Sequence, residues 1–275
     1  MHHLRVGKRR RFQSVIVGLT TRKPDDQEWY FRALVAGASA QAAARGYGFE
    51  VVHVSPTGRN WAVVRRTLQS RGVEGVLLLP SQAPVDLSGV LGWEQYSVVS
   101  ASASVTGPDA HRVMPHHFAN ALLLCRNLAR SGCRRIGLVM AADHEVRSGH
   151  GFSAAVMWHG ASEAAQVVPP LVVREVGRVE LRLWFKREQP DVIITNELSS
   201  ARECARNLGR NVGGAVRFAV TSLIGEEHEG ISGIDERPGA IGEAAAEMLA
   251  GMIERRVRGQ PETPNATLLS GRWVP

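Results

Sequence analysis

The chain has 275 residues, 44% hydrophobic and 21% charged, ordinary for a water-soluble globular protein and enough for one large core or two lobes. Its formal charge of +7 is uneven, because Arg5, Lys8, Arg9, Arg10 and Arg11 supply +5 before any acid, leaving +2 on the remainder and no basic body to read nucleic acid. No apolar run approaches the roughly 20 residues a bilayer span needs, the basic start is no secretory signal, and three cysteines without CxxC spacing argue against a disulfide framework or zinc site and for a reducing cytoplasm.

The first element is a basic arm over residues 1–11, read either as a solubilising tail or as a phosphate contact. Residues 12–20 (FQSVIVGLT) then form an apolar run expected to be a buried strand. Asp25 or Asp26 can cap the following helix, which places Phe31, Leu34, Val35, Ala38 and Ala42 on one face. The small residues AGASAQ at 36–41 lie mid-helix, where they suit close helix packing rather than phosphate binding. Strands follow at 49–55, 73–80 and 96–101, with helices at 60–71 and near 86–93 between them. Alternating βα units of this kind predict a parallel, doubly wound sheet.

A polar interruption at 102–112 separates a second round of the same pattern. Its opening helix carries Phe118, Ala121, Leu122, Cys125 and Leu128 on one stripe. Strands are expected at 134–141, 171–176, 191–195 and 216–222, alternating with helices at 148–165, 179–188 and 197–208. A short extended piece at 231–235 leads to a long helix at 239–258, stopped by Gly259, and a last strand at 266–274. Two rounds imply two similar α/β lobes.

Several groups could carry chemistry. His116 and His117 open a helix, but adjacent helical side chains point about 100° apart, so they do not share a metal ion. They remain either a helix-end pair, one solvated and one packed, or a pair of which His116 faces a ligand. GFSAA at 151–155 approximates a nucleophile elbow around Ser153, yet the elbow needs a strand immediately before it, and the nearest ends about ten residues earlier. Trp29, Tyr30 and Phe31 at a helix start can stack on a flat ligand or pack inward. Arg147 can clamp a hydroxylated or anionic group or sit on the surface. Asn196 and Glu197, directly after a strand, can bind hydroxyls or cap a helix.

Read in order, these pieces resemble the effector-binding half of the lactose-repressor/galactose-repressor (LacI/GalR) family. The matching segments are Tyr30-Phe31, GVEGVLLLP at 72–80, GCRRIGL at 132–138, Gly151-Phe152, PDVIITNE at 190–197, GID at 233–235 with Ile241-Gly242, RGQPETP at 258–264 and LSGRWV at 269–274. They span the chain from Phe12 onward.

The resemblance implies two lobes of type I periplasmic-binding-protein fold, over 12–115 plus 238–262 and 116–237 plus 263–275, joined by crossovers near 102–115, 235–239 and 259–264. It implies a sugar or sugar-acid-like effector bound between the lobes, a homodimer through first-lobe helices, and DNA contacted through a helix-turn-helix headpiece that this chain lacks. Neither a cofactor, a metal nor an enzymatic activity is expected. The residues expected to face the ligand are Trp29, Tyr30, Phe31, Ser81, His116, Arg147, His150, Asn196, Glu197, Ser222 and Asp235.

The chain departs from the family pattern at several of these. His116 stands where sugar-reading members usually have aspartate, Ser148 beside Arg147 where they often have arginine, Glu197 where they have aspartate, and Leu223 near another expected aspartate. A histidine and an arginine in these places predict a more cationic or neutral cleft, and hence a ligand with acidic or acceptor-rich groups. A binding protein of the same fold used for uptake is the alternative, and a serine hydrolase a remote one.

Overall fold

A computed structural model describes residues 14–23, 28–162, 166–210, 216–223 and 230–275. The basic arm, the capping aspartates Asp25 and Asp26, and the end of the 148–165 helix lie outside the described residues.

The first half runs β1 (Val15–Thr20), α1 (Trp29–Ala44), β2 (Gly48–His53), α2 (Trp61–Ser70), β3 (Gly75–Leu78), β4 (Val85–Asp86), β5 (Ser97–Ser100), β6 (Val105–Gly107) and β7 (His111–Pro115). The second half runs α3 (His117–Arg130), β8 (Ile136–Ala141), α4 (Ala142–Arg147), α5 (Gly151–Ser162), β9 (Leu171–Val173), α6 (Arg178–Glu188), β10 (Val192–Thr195), α7 (Leu198–Leu208), β11 (Arg217–Val220) and β12 (Ser232–Asp235). The chain closes with α8 (Pro238–Glu254), β13 (Ala266–Leu269) and β14 (Arg272–Val274).

Two six-stranded sheets result, in the orders β13-β7-β5-β3-β1-β2 and β14-β12-β11-β10-β8-β9. All pairings in them are parallel except that of β14 with β12. Strands such as β3 (GVLL) and β10 (VIIT) are buried at every position, as parallel strands covered on both faces must be. Helices α1 and α8 cover one face of the first sheet, and α2 with Leu87, Val90 and Trp93 the other. The second sheet lies between α3 with α5 and α6 with α7. Where α1 meets α8 the backbones nearly touch: a Cβ on Gly242 would lie 2.0 Å from the Leu34 carbonyl oxygen, and one on Gly37 2.1 Å from that of Gly239. The small residues at 36–41 therefore do pack helix on helix.

The structure revises three local expectations. Residues 86–93 form no helix; Gly89 and Gly92 interrupt the segment, and only a single 3-10 turn, Trp93–Gln95, appears at its end. The polar interruption contains β6 and the start of β7, and β7 is an interior strand of the first sheet. The closing apolar run is two strands rather than one. β13 pairs with β7 in the first sheet and β14 with β12 in the second, so the third crossover falls at Ser270 and Gly271 rather than at 259–264. The three crossovers are tied together: His116 N–H donates to the Leu269 carbonyl at 2.8 Å, Gly271 N–H to Asn120 Oδ1 at 2.8 Å, and Arg272 Nη2 to Asp235 Oδ2 at 2.7 Å.

Candidate functional site

A cavity of about 380 Å³ opens between the lobes, where the carboxyl ends of both parallel sheets converge. Parallel α/β sheets bind ligands there, because each strand hands over to a loop or helix start with free backbone groups. Arg22 follows β1, Glu28 and Tyr30 sit at the start of α1, Ser81 and Gln82 follow β3, and Ser102 and Ser104 follow β5. From the other lobe come His117 of α3, His144 and Arg147 of α4, Asn196 and Glu197 after β10, Ser222 after β11 and Glu236 after β12.

A hydrogen bond crosses the cavity from lobe to lobe: Arg147 Nη1 donates to the Gln82 carbonyl at 2.8 Å. The other end of the guanidinium lies 2.9 Å from His144 Nδ1. Burial, then Arg147 and the neighbouring His117, push the His144 imidazole down to about 3, so at neutral pH Nδ1 is the acceptor. The Arg147 guanidinium is itself lowered, first by burial and then by Arg22. His144 stacks on Phe152 at 5.6 Å, and His117 meets the same ring edge-on at 5.0 Å.

On the first lobe, Arg22 Nη1 pairs with Glu28 Oε2 at 2.5 Å and its guanidinium lies 5.4 Å from the Phe31 ring centre. Tyr30 is raised well above the usual phenol range by burial, then by Glu236 and Glu28, and its hydroxyl stays a proton donor. A serine ladder floors this side: Ser81 N–H donates to Ser104 Oγ at 2.8 Å, and Ser104 Oγ lies 2.7 Å from Ser102 Oγ. In the second lobe the Asn196 carbonyl accepts from Ser222 N–H at 2.9 Å, and Glu197 Oε1 from Ser199 Oγ at 2.6 Å.

Of the residues expected at the ligand, Tyr30, Ser81, Arg147, Asn196, Glu197 and Ser222 line this cavity. The others lie elsewhere. His116 is the N-cap of α3, its Nδ1 accepting from Ala119 N–H at 3.3 Å, and the cavity-facing place falls to His117 one position later. Phe31 is packed into the first-lobe core. Trp29 is exposed and borders a separate surface hollow with Arg32 and His53. His150 is exposed, at φ 60° in the break between α4 and α5. Asp235 is engaged with Arg272 and with Arg237 N–H at the crossover.

Sequence reasoning missed Arg22, Glu28, His117, His144 and Glu236. Each lies within a few residues of a strand's carboxyl end or at a helix start, which is the one signal that could have marked them. With these included, the lining holds three carboxylates (Glu28, Glu197, Glu236) against two guanidiniums (Arg22, Arg147), a mixed charge set that His116 and Arg147 alone do not convey.

Ser153 lies inside α5, away from any strand-to-helix turn, and donates its Oγ proton to the buried Glu145 at 2.5 Å. Among the described residues no group of three or more His, Cys, Asp or Glu could hold a metal ion, and no helix is long and apolar enough to cross a membrane.

Two parallel-sheet lobes, three tied crossovers and a polar cavity between them define a type I periplasmic-binding-protein-like fold. No family model matches the chain, and no curated protein matches it in sequence. Solved structures do. A ribose operon repressor described as putative, from Burkholderia thailandensis, superposes with a TM-score of 0.72 at 20% identity, covering 95% of this chain and 99% of that one. The transcriptional regulator CelR in complex with cellobiose gives 0.71 at 16% identity over 96% and 84% of the two chains. A periplasmic binding protein/LacI transcriptional regulator from Alkaliphilus metalliredigens, complexed with D-xylulofuranose, gives 0.66 at 14% over 95% and 98%. The chain thus has the fold of LacI/GalR-type effector cores, along nearly its whole length.

Proposed function

We propose that this chain is the effector-sensing core of a LacI-type transcriptional regulator, and that a sugar-like polyol closes its two lobes. The observation that carries this reading is the interlobe cavity lined from both sheets and already bridged by Arg147 to the Gln82 carbonyl. Dense, mixed donors and acceptors on rigid strand ends are what recognition of hydroxyl groups requires. The complexes of two similarly folded proteins with cellobiose and D-xylulofuranose support the ligand class. Tyr30, Ser81, Arg147, Asn196, Glu197 and Ser222, joined by Arg22, His117 and Glu236, are the proposed readers; His116 and Asp235 act at the hinge.

The rest of the reading follows from a regulator's task. The protein works in the cytoplasm as a homodimer paired mainly through the first lobe, and acts on DNA through a helix-turn-helix headpiece. It performs no chemistry on its effector and needs no cofactor. Ligand binding shifts the balance between two interlobe arrangements, which the dimer transmits to DNA.

The test is calorimetric titration with a broad panel of neutral, acidic and amino mono- and disaccharides, followed by X-ray scattering with the best binder. Saturable one-site binding with a smaller radius of gyration is expected. A panel without a binder, or binding that leaves the scattering unchanged, refutes the sensing role. Sedimentation showing only monomer at tens of micromolar would separately refute the dimer.

A further inference from the structure

Glu236 is the most exposed to question of the cleft residues, because it is a charge without a settled partner. Its side chain is only 7% exposed, and it lines the cavity. Among the described residues its only ion-pair neighbour is His117, whose Nδ1 lies 3.3 Å from Oε1, and neither atom makes a hydrogen bond. The other cleft carboxylates differ: Glu28 has the Arg22 guanidinium and Glu197 the Ser199 hydroxyl. Arg147, the remaining cation, is committed to the Gln82 carbonyl and to His144.

A buried carboxylate facing a cavity without an obligate cation is costly until something supplies the positive charge. An imidazole is not an obligate cation; an alkylammonium close to neutral pH is. Tyr30 lines the same cavity, and its phenol oxygen offers a further acceptor to an ammonium. Elsewhere in the lining, Arg147 and the Ser81–Ser102–Ser104 ladder suit hydroxyls.

We propose that the effector is an amino sugar, its protonated amine docking on Glu236 beside Tyr30 and His117 and its hydroxyls facing Arg147 and the serine ladder. This rests on the reading of the cleft as an effector site and makes it specific. No bond forms or breaks in the binding step; the ligand's charge replaces the missing partner of the carboxylate.

The probes are glucosamine, galactosamine and mannosamine, each with its parent hexose and its N-acetyl derivative, titrated calorimetrically at a pH where the amine is charged. An amine is expected to bind at least about tenfold tighter than both counterparts, as a desolvated charge pair does over its neutral analogue. Glu236→Gln, its fold checked by circular dichroism, should erase that preference. His117→Gln, which leaves the carboxylate in place, should weaken the amine and its counterparts alike and so keep their ratio. A parent hexose or N-acetyl sugar that binds as tightly as the amine overturns the inference and leaves the sensing role intact. A preference that survives Glu236→Gln, or that is lost in His117→Gln alone, overturns the assignment to Glu236. If none of these probes binds, the inference fails, and the sensing role fails with it only when the broader saccharide panel is also empty.

Discussion

Replacing Arg147 with methionine tests the coupling of the two lobes. Methionine keeps most of the apolar stem but removes both the bond to the Gln82 carbonyl and the contact with His144. A hydrogen bond from a charged donor contributes about 1.5–3 kcal/mol when desolvated, and the half-exposed setting of this one reduces that to about 1 kcal/mol. Since the bond exists only when the lobes are close, its loss shifts the ligand-free balance toward the open form by about fivefold. The same change deletes the second of the causes that hold His144 down at about 3, so the imidazole must rise, though burial still keeps it below its ordinary value. X-ray scattering of the ligand-free protein should show a larger radius of gyration, and an NMR titration should show His144 moving up. Unchanged scattering together with an unmoved His144 would refute the assignment of Arg147 as the interlobe tie.

His144 also predicts a pH dependence of stability. Its folded value, about 3 against the ordinary 6.5, is depressed, so the unfolded chain takes up the proton first; the contribution is present above about pH 6.5 and is lost as pH falls toward 3, at most about 5 kcal/mol in all. Denaturant melts of His144→Gln should be flatter than wild type across that window, and parallel curves would contradict the buried neutral imidazole. Gly242→Ala drives a Cβ to 2.0 Å from the Leu34 carbonyl and should destabilise by about 2–3 kcal/mol, a fall of several degrees in Tm, whereas Gly239→Ala, whose Cβ meets nothing nearer than 3.7 Å, should be close to neutral; equal effects would discredit the helix contact. Ser153→Ala removes the hydroxyl donor to buried Glu145 but keeps the Ser153 N–H donor, and should cost about 1–3 kcal/mol of stability without changing effector affinity. A hydrolytic activity that disappears in this variant would reverse the reading of Ser153 as structural.

Much of the architecture was legible in the chain because burial imposes local patterns. Fully buried parallel strands require continuous apolar runs, which is why β1, β3 and β10 stand out as VIVGLT, GVLL and VIIT. Amphipathic spacing likewise marked α1, α3 and α8. Pairing between distant strands leaves no such local trace. Residues 266–274 read as one strand, and only the two neighbours competing for it, β7 and β12, divide it at Ser270 and Gly271. The segment 102–112 reads as polar loop, yet its end is drawn into the sheet because β5 and β13 need an interior neighbour.

The cleft divides the same way. Residues immediately after strands, such as Ser81, Asn196 and Ser222, could be anticipated, since a parallel sheet delivers its strand ends to one edge whatever the tertiary details. The choice between His116 and His117 could not: neighbours at a helix start differ by about 100° in direction, and the docking angle of α3 turned the first into a cap and the second into the cavity. Glu28 and Glu236 were likewise silent, being an acid before a helix and an acid after a strand about two hundred residues later in the chain. Only the meeting of the two lobes puts Glu236 in one cavity with Glu28 and Tyr30, and charge balance in a cavity is a property of what meets there, not of any segment that arrives.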